Sequence, residues 1–210
     1  MSEQELRQLL VELGASLFQR GFGVGSAGNI SVRLEDGYLM TPTNSCLGRL
    51  ECERLSKLDK NWNLIAGDQP SKEIFMHRAV LNARPNAGAV VHLHSTYATA
   101  ISCLNQSKSD TPITPYTPYF VMRIGRRLPV IRYYRPGDST MENEIFQEAK
   151  TAPAMLLANH GSVVSGKTLT DAVNSAEELE ESAKLALMLK NLPARCLTDA
   201  EIEDLLSTFK

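Results

Sequence analysis

Three features of this sequence predict an α/β fold: short apolar runs of strand length (residues 30–34, 87–93 and 154–158), longer stretches with helical periodicity or capping signals, and their interleaving along the chain. With 210 residues, 43% apolar and 22% charged, the chain can bury a substantial core. No repeat or linker divides it, so one domain over residues 1–210 is expected. The formal charge of −2 gives no reason to expect nucleic acid or a membrane as partner. No run approaches the roughly 20 apolar residues of a membrane-spanning helix. The polar start Met1-Ser-Glu-Gln-Glu5 is unlike a signal peptide. Cys46, Cys52, Cys103 and Cys196 form no C-x-x-C pair and are expected as free thiols in the cytoplasm. Cys46 and Cys52 as a zinc pair would lack partners at ligand spacing.

Leu6, Leu9, Leu10, Leu13 and Leu17 place a helix over residues 3–20, stopped by Gly21. Gly23, Gly25 and Gly28 spell G-x-G-x-x-G, but a helix precedes the motif and a strand, 30–34, follows it. A dinucleotide site needs the reverse order, so the stretch is read as a turn that lets backbone approach a small ligand. Glu35-Asp-Gly37 turns the chain into a second strand, 38–40, and a polar loop, 41–45, follows. Strands are expected at 55–58 and 63–66, and a helix at 73–83. The loop before that helix joins Ser71 and Lys72 to free N–H groups, which suits an anion; Ser71 as a helix cap is a compatible reading. Residues 96–104 fit a helix, 105–127 are irregular and proline-rich, and 128–133 fit a strand. Ser139-Thr-Met-Glu142 matches a capping box for a helix reaching residue 150. Strands at 154–158 and 162–165 flank the tight turn Asn159-His160-Gly161; helices at 170–190 and from the capping box Thr198-Asp-Ala-Glu201 complete the chain.

His92-Leu93-His94 ends the apolar run from Ala87. In a strand, residues two apart share a face, so both imidazoles stand together while Leu93 turns to the core. His160 also ends an apolar strand. If the two strand ends are neighbours, three imidazoles converge and leave a fourth position open, the arrangement of a catalytic zinc; satisfied core or edge histidines are the bland alternative. Glu73 is the natural fourth member, able to bind an empty site and to act as acid or base when released; equally, it is a helix-start glutamate favoured by the dipole. His77, four residues on, shares its helix face and is read as a packed or supporting histidine. A metal beside an anion cradle suits chemistry on a small phosphorylated carbonyl compound.

Ser26-Ala-Gly-Asn29, Thr41-Pro-Thr43, Pro70-Ser-Lys-Glu73, Val91-His-Leu-His94 and Asn159-His-Gly161 together resemble the class II aldolase/adducin family, in the same order and spacing. The resemblance implies a three-layer α/β/α fold with a central, mainly antiparallel sheet, a Zn2+ ion in each subunit, and a homotetramer with sites at subunit interfaces. It also implies His92, His94 and His160 as metal ligands, Glu73 as acid/base and fourth ligand of the empty site, and Asn29, Thr43, Asn44, Ser71 and Lys72 as the phosphate cradle. Tyr119 matches a catalytic tyrosine lent across the interface. Two departures stand out: Asn44 replaces a frequent glycine, and Lys72 replaces a serine of the phosphate loop, where a cation still suits phosphate.

His94-Ser-Thr-Tyr-Ala-Thr-Ala-Ile-Ser-Cys103, Thr117-Pro-Tyr-Phe-Val-Met-Arg123 and Tyr133-Tyr-Arg-Pro-Gly-Asp138 are similar to the 3-oxo-tetronate 4-phosphate decarboxylase branch. That branch releases carbon dioxide and dihydroxyacetone phosphate in sugar-acid catabolism. Three rivals are an aldolase cleaving a sugar phosphate, a non-catalytic adducin-like interaction module, and a structural zinc site in a binding protein; the intact histidine and glutamate set argues against the second. Arg123 and Arg135 are not assigned to the substrate carboxylate, because gripping it favours the ground state.

Overall fold

The computed structural model describes residues 1–104 and 111–209. Residues 105–110 of the stretch expected to be irregular lie outside the described residues. Helix α1 spans Glu3–Gln19, with Ser2 and Glu5 forming a capping box. Strands β1 (Asn29–Arg33), β2 (Gly37–Met40), β3 (Ser56–Asp59) and β4 (Leu64–Ala66) follow, then helix α2 (Ile74–Ala83), strand β5 (Ala89–Leu93) and helix α3 (Thr96–Ser102). Helix α4 (Pro118–Ile124), strand β6 (Val130–Ile131), helix α5 (Glu142–Ala149), strands β7 (Ala154–Leu157) and β8 (Gly161–Gly166), and helices α6 (Leu169–Leu189) and α7 (Asp199–Thr208) complete the order.

The strands form one sheet in the order β4-β3-β2-β1-β5-β8-β7-β6. Each pairing is antiparallel except that of β6 with β7. Strand alternation sorts side chains into two cores. Val91 and Leu93 join Leu10 and Leu17 of α1, Ile101 of α3, Phe120 of α4, Leu179 of α6 and Ile202 of α7 on one face. Val90 and Val163 join Phe75, Met76 and Val80 of α2 and Ile145 of α5 on the other. This is the expected three-layer α/β/α arrangement with a mainly antiparallel sheet. Leu93 is fully buried, as its place between the two histidines requires.

Three local expectations are corrected. The proline-rich stretch contains helix α4: Pro118 occupies its first turn, Thr117 accepts a hydrogen bond from the Phe120 N–H, and Gly125 at φ +92° ends it. A proline costs nothing in a first turn because its missing N–H has no partner there anyway. The Ser139–Glu142 capping box does not form. Asp138 accepts from the Thr140 N–H at 3.0 Å instead, a 3₁₀ turn spans Ser139–Met141, and Glu142 takes Arg78 with both oxygens at 2.7 Å. Two parallel bonds from a guanidinium to both carboxylate oxygens are stronger than the single backbone N–H that the reciprocal cap would offer Glu142. The strand expected at 128–133 shrinks to the two residues of β6 at the sheet edge.

Helix α3 begins immediately after the histidine strand, and its boundary residue Ser95 makes no side-chain capping bond within the helix. Glu180 of α6, buried, accepts from the N–H groups of Tyr97 and Ala98 at 2.8 Å and from the Ser95 hydroxyl at 2.7 Å. A carboxylate from another helix thus caps α3 and fixes where the chain leaves His94. Glu180→Ala is expected to lower stability by about 2–3 kcal/mol, because it removes a charged acceptor and leaves buried donors unpaired. Urea denaturation of the variant and the wild type measures this, and a loss below about 0.5 kcal/mol would contradict the role assigned to the carboxylate.

Candidate metal centre

Strand β5 lies between β1 and β8, so His92 has Asn29 opposite it on one side and Val163 on the other. Leu93 pairs with Ser162, which brings the β7–β8 turn beside His94. That turn is tight: Asn159 adopts φ +57°, a left-handed conformation asparagine tolerates, and the His160 N–H donates to the Leu157 carbonyl at 3.0 Å. A Cβ on Gly161 would stand 2.3 Å from the Leu93 carbonyl oxygen, so the glycine after His160 is needed for the strands to meet. The three rings converge edge to face, with centroids 4.6–4.9 Å apart.

Glu73 sits at the boundary of α2 and does not cap it with its side chain; its N–H donates to Ser71 Oγ at 3.2 Å. Its carboxylate turns to the histidines, with Oε2 3.5 Å from His92 Nε2 and Oε1 3.4 Å from His160 Nε2. Asn29 Nδ2 donates to Oε2 at 2.8 Å. Asn29 Oδ1 lies 2.5 Å from His77 Nε2, and His77 Nδ1 lies 2.8 Å from the Ser31 hydroxyl. Asn29, Ser31 and His77 are all buried.

Burial holds these imidazoles neutral. It pushes His77 down to about 3 and His92 well below the usual histidine range, with His94 and His160 adding to the shift at His92. His94 is lowered by burial and then by His160, and His160 by burial. His92 Nδ1–H donates to the Ser162 carbonyl at 2.8 Å, leaving its Nε2 lone pair facing His94 Nε2 at 2.9 Å. Neutral imidazoles with inward lone pairs are what a transition metal requires. The three histidines' nearest ligand atoms lie within 4.8 Å of one another. Tetrahedral bonds of about 2.0–2.1 Å imply ligand separations of roughly 3.3–3.4 Å, close to both Glu73–histidine distances. The donor set therefore fits a divalent cation.

The other expected residues are more dispersed. Thr43 and Asn44 line a cavity of about 420 Å³ with Gly25, Ser26, Arg49 and Arg54. Asn44 has φ +56°, which glycine would adopt without strain. Ser71 is buried beside Glu73, Lys72 is exposed, and the Asn29 amide is engaged by Glu73 and His77. Tyr119 is 61% exposed and borders a shallow surface with Arg20, Phe22 and Arg123, apart from the histidines. Sequence reasoning did not single out Ser31 or Arg49. Ser31 was accessible from the period of two, since it shares a strand face with Asn29; Arg49 carries no local signal.

A family model, Class II Aldolase and Adducin N-terminal domain, matches residues 8–187. The chain belongs to the class II aldolase and adducin family. It is 51% identical over 206 residues, 98% of each chain, to the 3-oxo-tetronate 4-phosphate decarboxylase of Haemophilus influenzae. The crystal structure of YgbL from Escherichia coli superposes with a TM-score of 0.93 at 48% identity, covering 97% of this chain and 98% of that one. The L-fuculose phosphate aldolase of Escherichia coli K12 is 32% identical over 213 residues, 100% of this chain and 96% of that protein. The class II aldolases of this family are metal-dependent, in keeping with the three-histidine group.

The depressed histidines make the metal-free protein acid-sensitive. His77 titrates near 6.5 when unfolded and near 3 when folded, so below 6.5 the unfolded state binds more protons and stability falls with pH. At pH 5, above most carboxylate titration, His77 alone should cost about 2 kcal/mol. Urea unfolding of chelator-treated protein at pH 7.5 and pH 5 tests this; equal stability at the two pH values would contradict it.

Proposed function

We propose that this chain is a lyase that decarboxylates 3-oxo-tetronate 4-phosphate to dihydroxyacetone phosphate and carbon dioxide, acting as a cytoplasmic zinc enzyme in sugar-acid catabolism. The observation that carries the reaction class is the Glu73 carboxylate, set 3.4–3.5 Å from two of three converging imidazoles. The substrate follows from the decarboxylase relative, which is 51% identical where the fuculose phosphate aldolase is 32% identical.

His92, His94 and His160 would hold the ion, with Glu73 as fourth ligand until substrate displaces it, and the ion when bound would supply Lewis-acid stabilisation of negative charge on the substrate oxygens. Asn29, Thr43, Asn44, Ser71 and Lys72 would hold the phosphate, with Lys72 as a point charge and Ser71 contributing its hydroxyl, since the N–H groups of Ser71, Glu73 and Ile74 are already engaged within the chain. The bond to the carboxylate carbon breaks, carbon dioxide leaves, and its electron pair passes into the enediolate of the remaining three-carbon phosphate. Glu73, protonated for this step, delivers its proton to the vacated carbon and recovers one from solvent. Tyr119, exposed on α4, would act on the site of a neighbouring copy in a homotetramer.

The test follows carbon dioxide and dihydroxyacetone phosphate together from 3-oxo-tetronate 4-phosphate and zinc-loaded protein. Equal yields are expected, with kcat falling by about 10²–10⁴-fold in Glu73→Gln, the usual contribution of a positioned acid. An aldehyde from a sugar phosphate, without carbon dioxide from the keto acid, would make the chain an aldolase instead. Neither product, in protein that retains no metal, would leave an interaction module.

A further inference from the structure

We propose that His77 is a positioning residue whose Nε2-protonated ring orients Asn29 and, through it, holds the Glu73 carboxylate against the three histidines. The inference rests on the reading of Glu73 as the site's carboxylate.

The direction of every hydrogen bond in this chain is fixed from one end. A carboxylate only accepts, so Asn29 must present its NH₂ to Glu73 Oε2, 2.8 Å away. The amide carbonyl must then face His77 Nε2, at 2.5 Å. A carbonyl only accepts too, so Nε2 carries a proton. In a neutral ring Nδ1 is then a lone pair, and the Ser31 hydroxyl, 2.8 Å away, donates to it. While Glu73 is ionised, the proton order runs Ser31 to His77, His77 to Asn29, Asn29 to Glu73, with no alternative amide orientation that satisfies both ends.

The scaffold suits this task. Asn29 and Ser31 lie two apart on β1 and share one face, while Glu73 and His77 lie four apart at the start of α2. The chain therefore ties a strand to a helix across the site, and it does so out of solvent, with Ser31 and His77 fully buried and Asn29 6% exposed. The hydrogen bonds of the His77 ring go to Asn29 and Ser31. Removing its ring leaves the Asn29 amide free to rotate and turn its carbonyl toward the carboxylate, which would push Glu73 out of register. Partners that orient metal-site groups in this way are typically worth about 10–100-fold in metal affinity or rate.

Three measurements test the proposal. In metal-free wild-type protein with ¹⁵N-labelled histidine, the His77 ring should resonate as the Nε2–H tautomer at pH 7; an Nδ1–H tautomer overturns the proposal, whatever any variant does. In zinc-loaded protein, His77→Leu should lower kcat for decarboxylation by about 10–100-fold with KM changed less than about threefold. Chelator competition should show zinc affinity weakened by a comparable factor. His77→Gln, whose amide nitrogen can stand in for Nε2–H, should recover most of both losses. A leucine variant with unaltered kcat and zinc affinity, or a glutamine variant no better than leucine, overturns the positioning role. Tautomer and zinc affinity need no substrate. A wild type inert toward the keto acid but with both as expected would therefore count against the decarboxylase reading and in favour of the positioning role.

Discussion

The site depends on the antiparallel ladder that sets β5 between β1 and β8. Its register puts Asn29 opposite His92 and Ser162 opposite Leu93. Because side chains alternate along a strand, a slip of one residue would turn His92 into the α1/α6 core and bring Leu93 to the site. The β7–β8 turn is constrained by the same ladder: Gly161 packs against the Leu93 carbonyl so closely that no other side chain fits, and this delivers His160 to the end of β5. Glu73 alone arrives from outside the sheet, at the start of α2, where Asn29 receives it from β1.

Burial gives this geometry its electrostatic character. Desolvation is the leading cause of the depressed titration of His77, His92, His94 and His160. Neutral imidazoles pack at 4.6–4.9 Å without the repulsion of like charges, and their lone pairs remain available. A cation placed among them would also relieve the crowding of electron-rich nitrogens and a carboxylate. The two apolar cores supply the desolvation, and Glu180, capping α3 from α6, holds the chain that leaves His94.

Much of this was legible in the residues themselves. The period of two in His92-Leu93-His94 gave the paired imidazoles, and the short apolar strand ending at His160 gave a third candidate. The meeting of those strand ends was not legible, because sheet order is set by packing between segments far apart in sequence; family resemblance, not periodicity, supplied it. Helix α4 was missed because its proline reads as a breaker unless its place in the first turn is known. The Ser139–Glu142 cap failed for a related reason: Glu142 had a stronger partner in Arg78, 64 residues away, which no local motif reveals. Ser31 was overlooked because the period of two places it on the face of Asn29 but does not reveal that His77 of α2 faces it there.

The central claim is that His92, His94 and His160, with Glu73, form one site for one divalent cation. Anomalous diffraction at the zinc edge, from crystals of zinc-loaded protein without substrate, tests it most directly. The account predicts a single strong peak per chain within about 2.0–2.2 Å of the three Nε2 atoms and of a Glu73 oxygen. A peak elsewhere, or none among these residues at full zinc loading, would contradict it.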